Sequence, residues 1–106
     1  MKVHRIGVAA LLAGLAFCHT ARAQDIKLGY NGDLSASPSA QSGQAAVLGM
    51  QAAIDDINAA GGLLGKKLAL VVRDDTSQPP KSIQNMSDLI DNEKVAAVFG
   101  PTNSGN

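Results

Sequence analysis

Ala53 to Asp75 reads AIDDINAAGGLLGKKLALVVRDD, and within it the hydrophobic period changes once. Up to Ala60 the apolar residues keep helical spacing. Upstream, Val47 and Met50 extend the series to Ile54 and Ile57 at intervals of three and four, with alanines between them, which predicts a helix over Gln44 to Ala60. Gly61-Gly62 stops it with a residue free to take positive φ. Leu68 to Val72 is then an unbroken apolar run between Lys66-Lys67 and Arg73-Asp74-Asp75, the pattern of a strand buried on both faces. Asp55, Asp56 and Asn58 fall on the polar side of the helix end.

Outward from this helix-to-strand unit, similar signals recur. Asp25 to Tyr30 alternates as a first strand, broken by Asn31-Gly32-Asp33, and Leu34 to Gly43 reads as a long Ser/Ala/Pro/Gly loop. Thr76 to Pro80 is a second loop, with proline placed to open a helix. Ile83, Met86, Leu89 and Ile90 form an apolar stripe on a helix ending near Asn92. Val95 to Phe99 is a third, wholly apolar strand, and Gly100 to Asn106 a polar loop. The order β-α-β-α-β predicts an α/β fold with a parallel, doubly wound sheet. With the first strand central, the helices fall on opposite faces, and the third strand is left as an open apolar edge.

The N-terminus carries a different message. Lys2 and Arg5, the apolar stretch Ile6 to Phe17, and Ala21-Arg22-Ala23 follow the order of a secretory signal, so residues 1–23 are read as a cleavable signal peptide and 24–106 as the mature segment. The apolar stretch is shorter than the roughly 20 residues a membrane-spanning helix needs. Phe17 before Cys18 disfavours a lipoprotein site. Cleavage would remove both histidines and the single cysteine. It would also take Lys2, Arg5 and Arg22, leaving six basic residues against nine acidic, a net charge of −3. Such a segment is poorly suited to nucleic-acid binding, thiolate metal sites or histidine acid/base catalysis. No cofactor or metal site is expected. At 83 residues it is also small for an α/β ligand-binding fold, and together with the open edge this suggests an incomplete lobe.

In doubly wound sheets ligands bind beyond the carboxyl ends of the strands, where the loops from Asn31 and from Gly100 meet. Thr102, Asn103 and Ser104 offer hydroxyl, amide and backbone N–H groups suited to an anion. Gly62 to Lys67 fails as a phosphate loop, since it precedes a strand and has Lys67 where a magnesium-binding hydroxyl belongs. Gly29-Tyr30-Asn31-Gly32 lacks the dinucleotide turn. Asp74-Asp75 suits a hard metal or acid/base work in principle, but the plainer reading is solvated strand-end charge. Asn85-Met86-Ser87 matches a glycosylation triplet inside a predicted helix and is read as chance.

The run Ala53 to Leu68 followed by Val71-Val72-Arg73-Asp74-Asp75, with Gln78-Pro79-Pro80-Lys81 and Phe99-Gly100, resembles the leucine/isoleucine/valine-type periplasmic binding proteins of ABC transporters. The resemblance implies the first lobe of a two-lobe fold that grips an amino acid or related small acid without covalent chemistry. It also implies a periplasmic location and a membrane permease as partner. In that family a serine shortly after the third strand receives the ligand carboxylate, and Ser104 stands at the matching position. Gly32-Asp33-Leu34-Ser35-Ala36 matches the family's first loop only in part, and Ser42 stands where an aromatic residue often lines the pocket. The alternative is a receptor or sensor lobe for amides, urea or aromatic acids. Contacts from a second lobe fall outside these 106 residues.

Overall fold

The computed structural model describes residues 24–106, so the signal-peptide reading lies outside the described residues. Within them the chain forms β1 (Ile26–Gly32), α1 (Ala40–Ala59), β2 (Leu68–Asp74), α2 (Pro79–Ser87) continued by one π-helical turn (Asp88–Asn92), and β3 (Ala97–Phe99). The three strands are parallel in the order β2-β1-β3. Ile26 pairs with Leu68 and Leu28 with Ala97, so β1 is central as expected.

Alternation along β1 divides the two helices between the faces. Leu28 shares an apolar depression with Met50, Ala53 and Ile54 of α1. Gly29 points the other way, where a Cβ would meet Leu89 and Val95 at 3.3 Å. Leu89, fully buried, thus fills the space that a side chain at position 29 would take. Next along the strand, Tyr30 lies under α1, and Asn31 reaches α2 through Ser82.

Four features differ from the sequence expectation. β1 continues through Asn31 and Gly32, which pair with Arg73 and Asp74. Asn31 reads as a breaker because its amide competes with the backbone, but here the amide is buried and donates to the Ser82 carbonyl and hydroxyl at 3.1 and 3.0 Å. Helix α1 starts at Ala40, not Gln44, because the serine-rich loop folds into its entry: Ala40 N–H donates to Ser37 O and Gly43 N–H to Ser39 O. Among the described residues β2 is an edge strand, and it is only half-buried beyond Leu68, not buried on both faces. β3 is shorter than Val95 to Phe99 and open on its far side among the described residues, which leaves Phe99 about half exposed. The stripe on α2 divides for the same reason, Leu89 being buried while Ile83 and Ile90 stay exposed.

Two devices hold the turns. Gly61 and Gly62 take φ of 109° and 82° at the end of α1. Asn58, expected on the polar side, instead clamps the first residue of β2, donating to Leu68 O at 2.9 Å and accepting from Leu68 N–H at 2.8 Å. At the opposite face Glu93 accepts from Lys27 of β1 at 2.9 Å and from Arg73 of β2 at 3.0 Å, and Arg73 also pairs with Asp88 at 2.8 Å.

The Lys27 hydrogen bond and charge, then Arg73, hold the Glu93 carboxyl below its usual range. A carboxylate whose folded pKa is depressed stabilises the fold above its unfolded pKa and ceases to do so as pH falls through the folded value. Melting temperature should therefore fall as pH drops from about 5 to about 3, and Glu93→Gln should flatten part of that fall. The groups are partly exposed, so the effect is modest. Thermal melts across the pH series check it, and identical slopes in both proteins would contradict it.

Candidate functional site

The carboxyl ends of the three strands bring together three loops, 33–39, 75–78 and 100–106. Parallel strands all deliver their following loops to one edge of the sheet, so the placement follows from topology. Each loop is organised by side chains that hydrogen-bond backbone groups.

Asp33, fully buried, accepts from the N–H groups of Ser35, Ala36 and Ser37 at 3.1, 2.8 and 2.9 Å and from the Ser37 hydroxyl. These bonds, the Ser37 hydroxyl foremost, hold its carboxyl below the usual range. Asp74 ties the first two loops together, accepting from Leu34 N–H at 3.0 Å, the Ser35 hydroxyl at 2.6 Å and Thr76 N–H at 2.8 Å. Burial pushes its pKa up, but the donors, Ser35 first, outweigh it and leave it lowered.

Asp75 is also fully buried, which overturns its reading as a solvated strand-end charge. It accepts from Ser77 N–H at 2.8 Å and from the Asn106 amide at 2.7 Å. Thr76 and Ser77 both take positive φ, 50° and 58°, an unfavourable choice for L-residues that the two aspartates sustain through these bonds.

The third loop docks on the second. Asn103 donates to the Ser77 hydroxyl at 3.0 Å while its carbonyl oxygen accepts from Gly105 N–H at 3.1 Å. Both ends of the Asn103 side chain are thereby engaged in shaping the loop. Ser104 is exposed, and its hydroxyl makes no hydrogen bond with the described residues. Thr102 is exposed beside Tyr30. Ser42 is exposed on the first turn of α1 and has no bond to the loop among the described residues. The structure thus brings Thr102, Asn103 and Ser104 to one edge and leaves Ser42 on a separate element facing solvent.

Under this edge lies Tyr30, 2% exposed, with a hydroxyl that has no hydrogen-bond partner among the described residues. Burial pushes its phenol pKa up; Thr102 is near enough to oppose that, without bonding geometry, and the charges of Asp75, Asp33 and Asp74 add to the rise. Beside it, Asn31 accepts from the Asn85 amide at 3.0 Å, and Asn85 also donates to Asp74 O at 3.1 Å. Asn85 is therefore committed to the interior, in keeping with the reading of its glycosylation triplet as chance. The burial of Asp33 and Asp75, and the parts played by Tyr30, Ser77 and Asn106, escaped the sequence reading. Asp33 followed by Ser35 and Ser37 was the available signal, a short acidic side chain placed to cap the N–H groups two to four residues ahead.

Comparison with known proteins agrees with the fold. The profile of the family described as "Periplasmic binding protein" matches residues 25–106. The Leu/Ile/Val-binding protein of Escherichia coli K12 is 39% identical over 94 residues, covering 86% of this chain and 25% of that protein. BraC3, the Leu/Ile/Val-binding protein of Rhizobium johnstonii, is 36% identical over 97 residues, 92% of this chain and 26% of its own length. The chain thus spans about a quarter of the curated relatives it matches. Among solved structures, the branched-chain amino acid transporter substrate binding protein LivJ of Streptococcus pneumoniae, in complex with isoleucine, superposes with a TM-score of 0.72 at 40% identity over 77% of this chain and 23% of that one. A fatty acid ABC transporter substrate-binding protein from Thermomonospora curvata gives 0.65 at 31% identity, covering 71% and 18%.

Proposed function

This chain belongs to the periplasmic binding protein family, and we propose that it supplies the first part of the ligand-gripping lobe of an ABC-transporter solute receptor for amino acids, branched-chain or related. Residues 1–23 act as a cleavable export signal and residues 24–106 work in the periplasm. The observation that carries the reading is the anchored 100–106 loop. Asn103 and Asn106 fasten it to Ser77 and Asp75, and Ser104 is left exposed at the carboxyl edge of the sheet.

A ligand carboxylate set at that loop takes a hydrogen bond from the Ser104 hydroxyl and from backbone N–H groups beside it. A charge-assisted bond of this kind is about twice as strong as a neutral one. Thr102 flanks the position and Asn103 holds its shape. Ser42, exposed on α1 away from that loop, is not among these contacts. The second lobe and the membrane permease complete the cycle by closing on the solute and recognising the closed state. The solute leaves chemically unchanged, so the role is binding and not catalysis.

A second reading, a receptor lobe for amides, urea or aromatic acids, draws on the partial match of Gly32-Asp33-Leu34-Ser35-Ala36 to the family's first loop and on a relative of the same fold named for fatty acids instead of amino acids. Thermal melting of the full protein bearing this segment, with a panel of amino acids, amides and aromatic acids, separates the two. An amino acid present at about 100 times its Kd should add about 2.7 kcal/mol of stability. Response to amides or aromatic acids alone would favour the second reading, and chemical conversion of the solute would overturn both.

A further inference from the structure

We propose that Asp33, Asp74 and Asp75, together with the hydroxyl of Tyr30, form a binding site for one hard divalent cation, calcium being the ion they suit best. The proposal is independent of the solute. It starts from the placement of three carboxylates, each with one oxygen within 4.8 Å of the other two. Oxygen ligands bound to one calcium ion at about 2.3–2.6 Å can lie up to about 5 Å apart, so one ion can reach all three.

The second observation is charge. Every donor to these three groups is neutral: a backbone N–H, a serine hydroxyl or the Asn106 amide. The ion pairs of the described residues lie elsewhere, between Lys27, Arg73, Asp88 and Glu93. Lys81 lowers the Asp74 pKa through its field without pairing with it. Two of the three acids are fully buried, and no cationic side chain of the described residues bonds to any of them.

The third observation is Tyr30. Its hydroxyl is buried and unpartnered, the single such side-chain polar atom among the described residues. A Cβ on Gly43 would lie on the Asp33 carbonyl oxygen and 3.0 Å from that hydroxyl, and one on Gly32 would lie 2.6 Å from it. These neighbours place the phenol oxygen near the Asp33 backbone carbonyl, where the charges of Asp75, Asp33 and Asp74 all act on it and it has no hydrogen-bond partner among the described residues. Asp75 accepts one hydrogen bond on each oxygen and Asp74 one on Oδ2, so both retain lone pairs, while Asp33, with four bonds, contributes mainly charge. The donor set is all oxygen, which selects calcium or magnesium over softer ions, and its irregular arrangement suits calcium over an octahedral ion. The ion would join the loops after β1 and β2 and, through Asn106, the loop after β3.

The test uses the full protein bearing this segment, stripped with chelator, with calcium chloride alone as probe and magnesium chloride for comparison. Calorimetry and melting should show calcium binding with a Kd of about 10⁻⁴–10⁻³ M and a matching rise in melting temperature. Asp75→Asn should weaken it about 10-fold or more. Tyr30→Phe removes one neutral oxygen and should weaken it several-fold, while the calcium-free protein melts no lower than wild type because the lost hydroxyl had no partner. Asp55→Asn, at an exposed carboxylate of α1, should leave binding unchanged. Should Asp75→Asn fail to fold, Tyr30→Phe decides. No calcium response in the wild type, or one that both variants leave intact, overturns the proposal. Because no solute is added, the result stands apart from the amino-acid reading.

Discussion

Replacing Gly100 by alanine should lower stability by about 2–5 kcal/mol and weaken solute binding as well. Gly100 has φ of 107°, which L-residues rarely adopt, and a Cβ there would land on the backbone carbonyl oxygen of Asn31. Left-handed backbone costs an L-residue about 1–2 kcal/mol, and forcing atoms into a filled site adds about 1–3. Asn31 cannot move aside cheaply. It is in the ladder with Arg73, fully buried, and hydrogen-bonded through its side chain to Ser82 and Asn85. The strain therefore falls on the chain that follows, the loop carrying Thr102, Asn103 and Ser104. Gly49→Ala is the contrasting change, since a Cβ there meets nothing within 4 Å in the middle of α1 and should stabilise by about 0.5–1 kcal/mol. Denaturant melts of both variants check the opposite signs. Equal midpoints for Gly100→Ala and wild type would contradict the contact.

Ser104→Ala should have the second large effect, on affinity and not on folding. Its hydroxyl makes no hydrogen bond with the described residues, so removing it costs the unliganded protein little. A hydrogen bond to a charged ligand is worth about 1.5–3 kcal/mol, which corresponds to a loss of about 10- to 100-fold in affinity. Asn103→Ala should behave differently. It releases Ser77 and the Gly105 turn, so it should reduce affinity and melting temperature together. The contrast separates a group that touches the solute from one that positions the loop.

Much of this architecture is legible in the sequence, for identifiable reasons. Val47, Met50, Ile54 and Ile57 keep the helical period, Gly61-Gly62 ends it, and the apolar run from Leu68 marks a strand. The β-α-β-α-β order then leaves few topologies, and the observed order with β1 central is the one expected. The local chemistry is less legible. Asn31-Gly32 reads as a turn until Ser82, 51 residues away, is known to engage the amide. Asp75 reads as solvated because its satisfaction depends on Ser77 in an unusual backbone conformation and on Asn106 of another loop. Tyr30 is a plain strand residue by its pattern; only the fold reveals that its hydroxyl is buried without a partner among the described residues. Ser104 and its neighbours are proposed from family resemblance and the switch-point rule, and the structure adds the anchoring by Asn103 and Asn106.

The most direct test of the account is calorimetric titration of an amino-acid solute into the full protein bearing this segment, in wild-type form and with Ser104→Ala. The account predicts saturable binding by the wild type, weakened about 10- to 100-fold by the substitution at unchanged melting temperature. Undiminished affinity in Ser104→Ala, or no binding of any amino acid by the wild type, would contradict it.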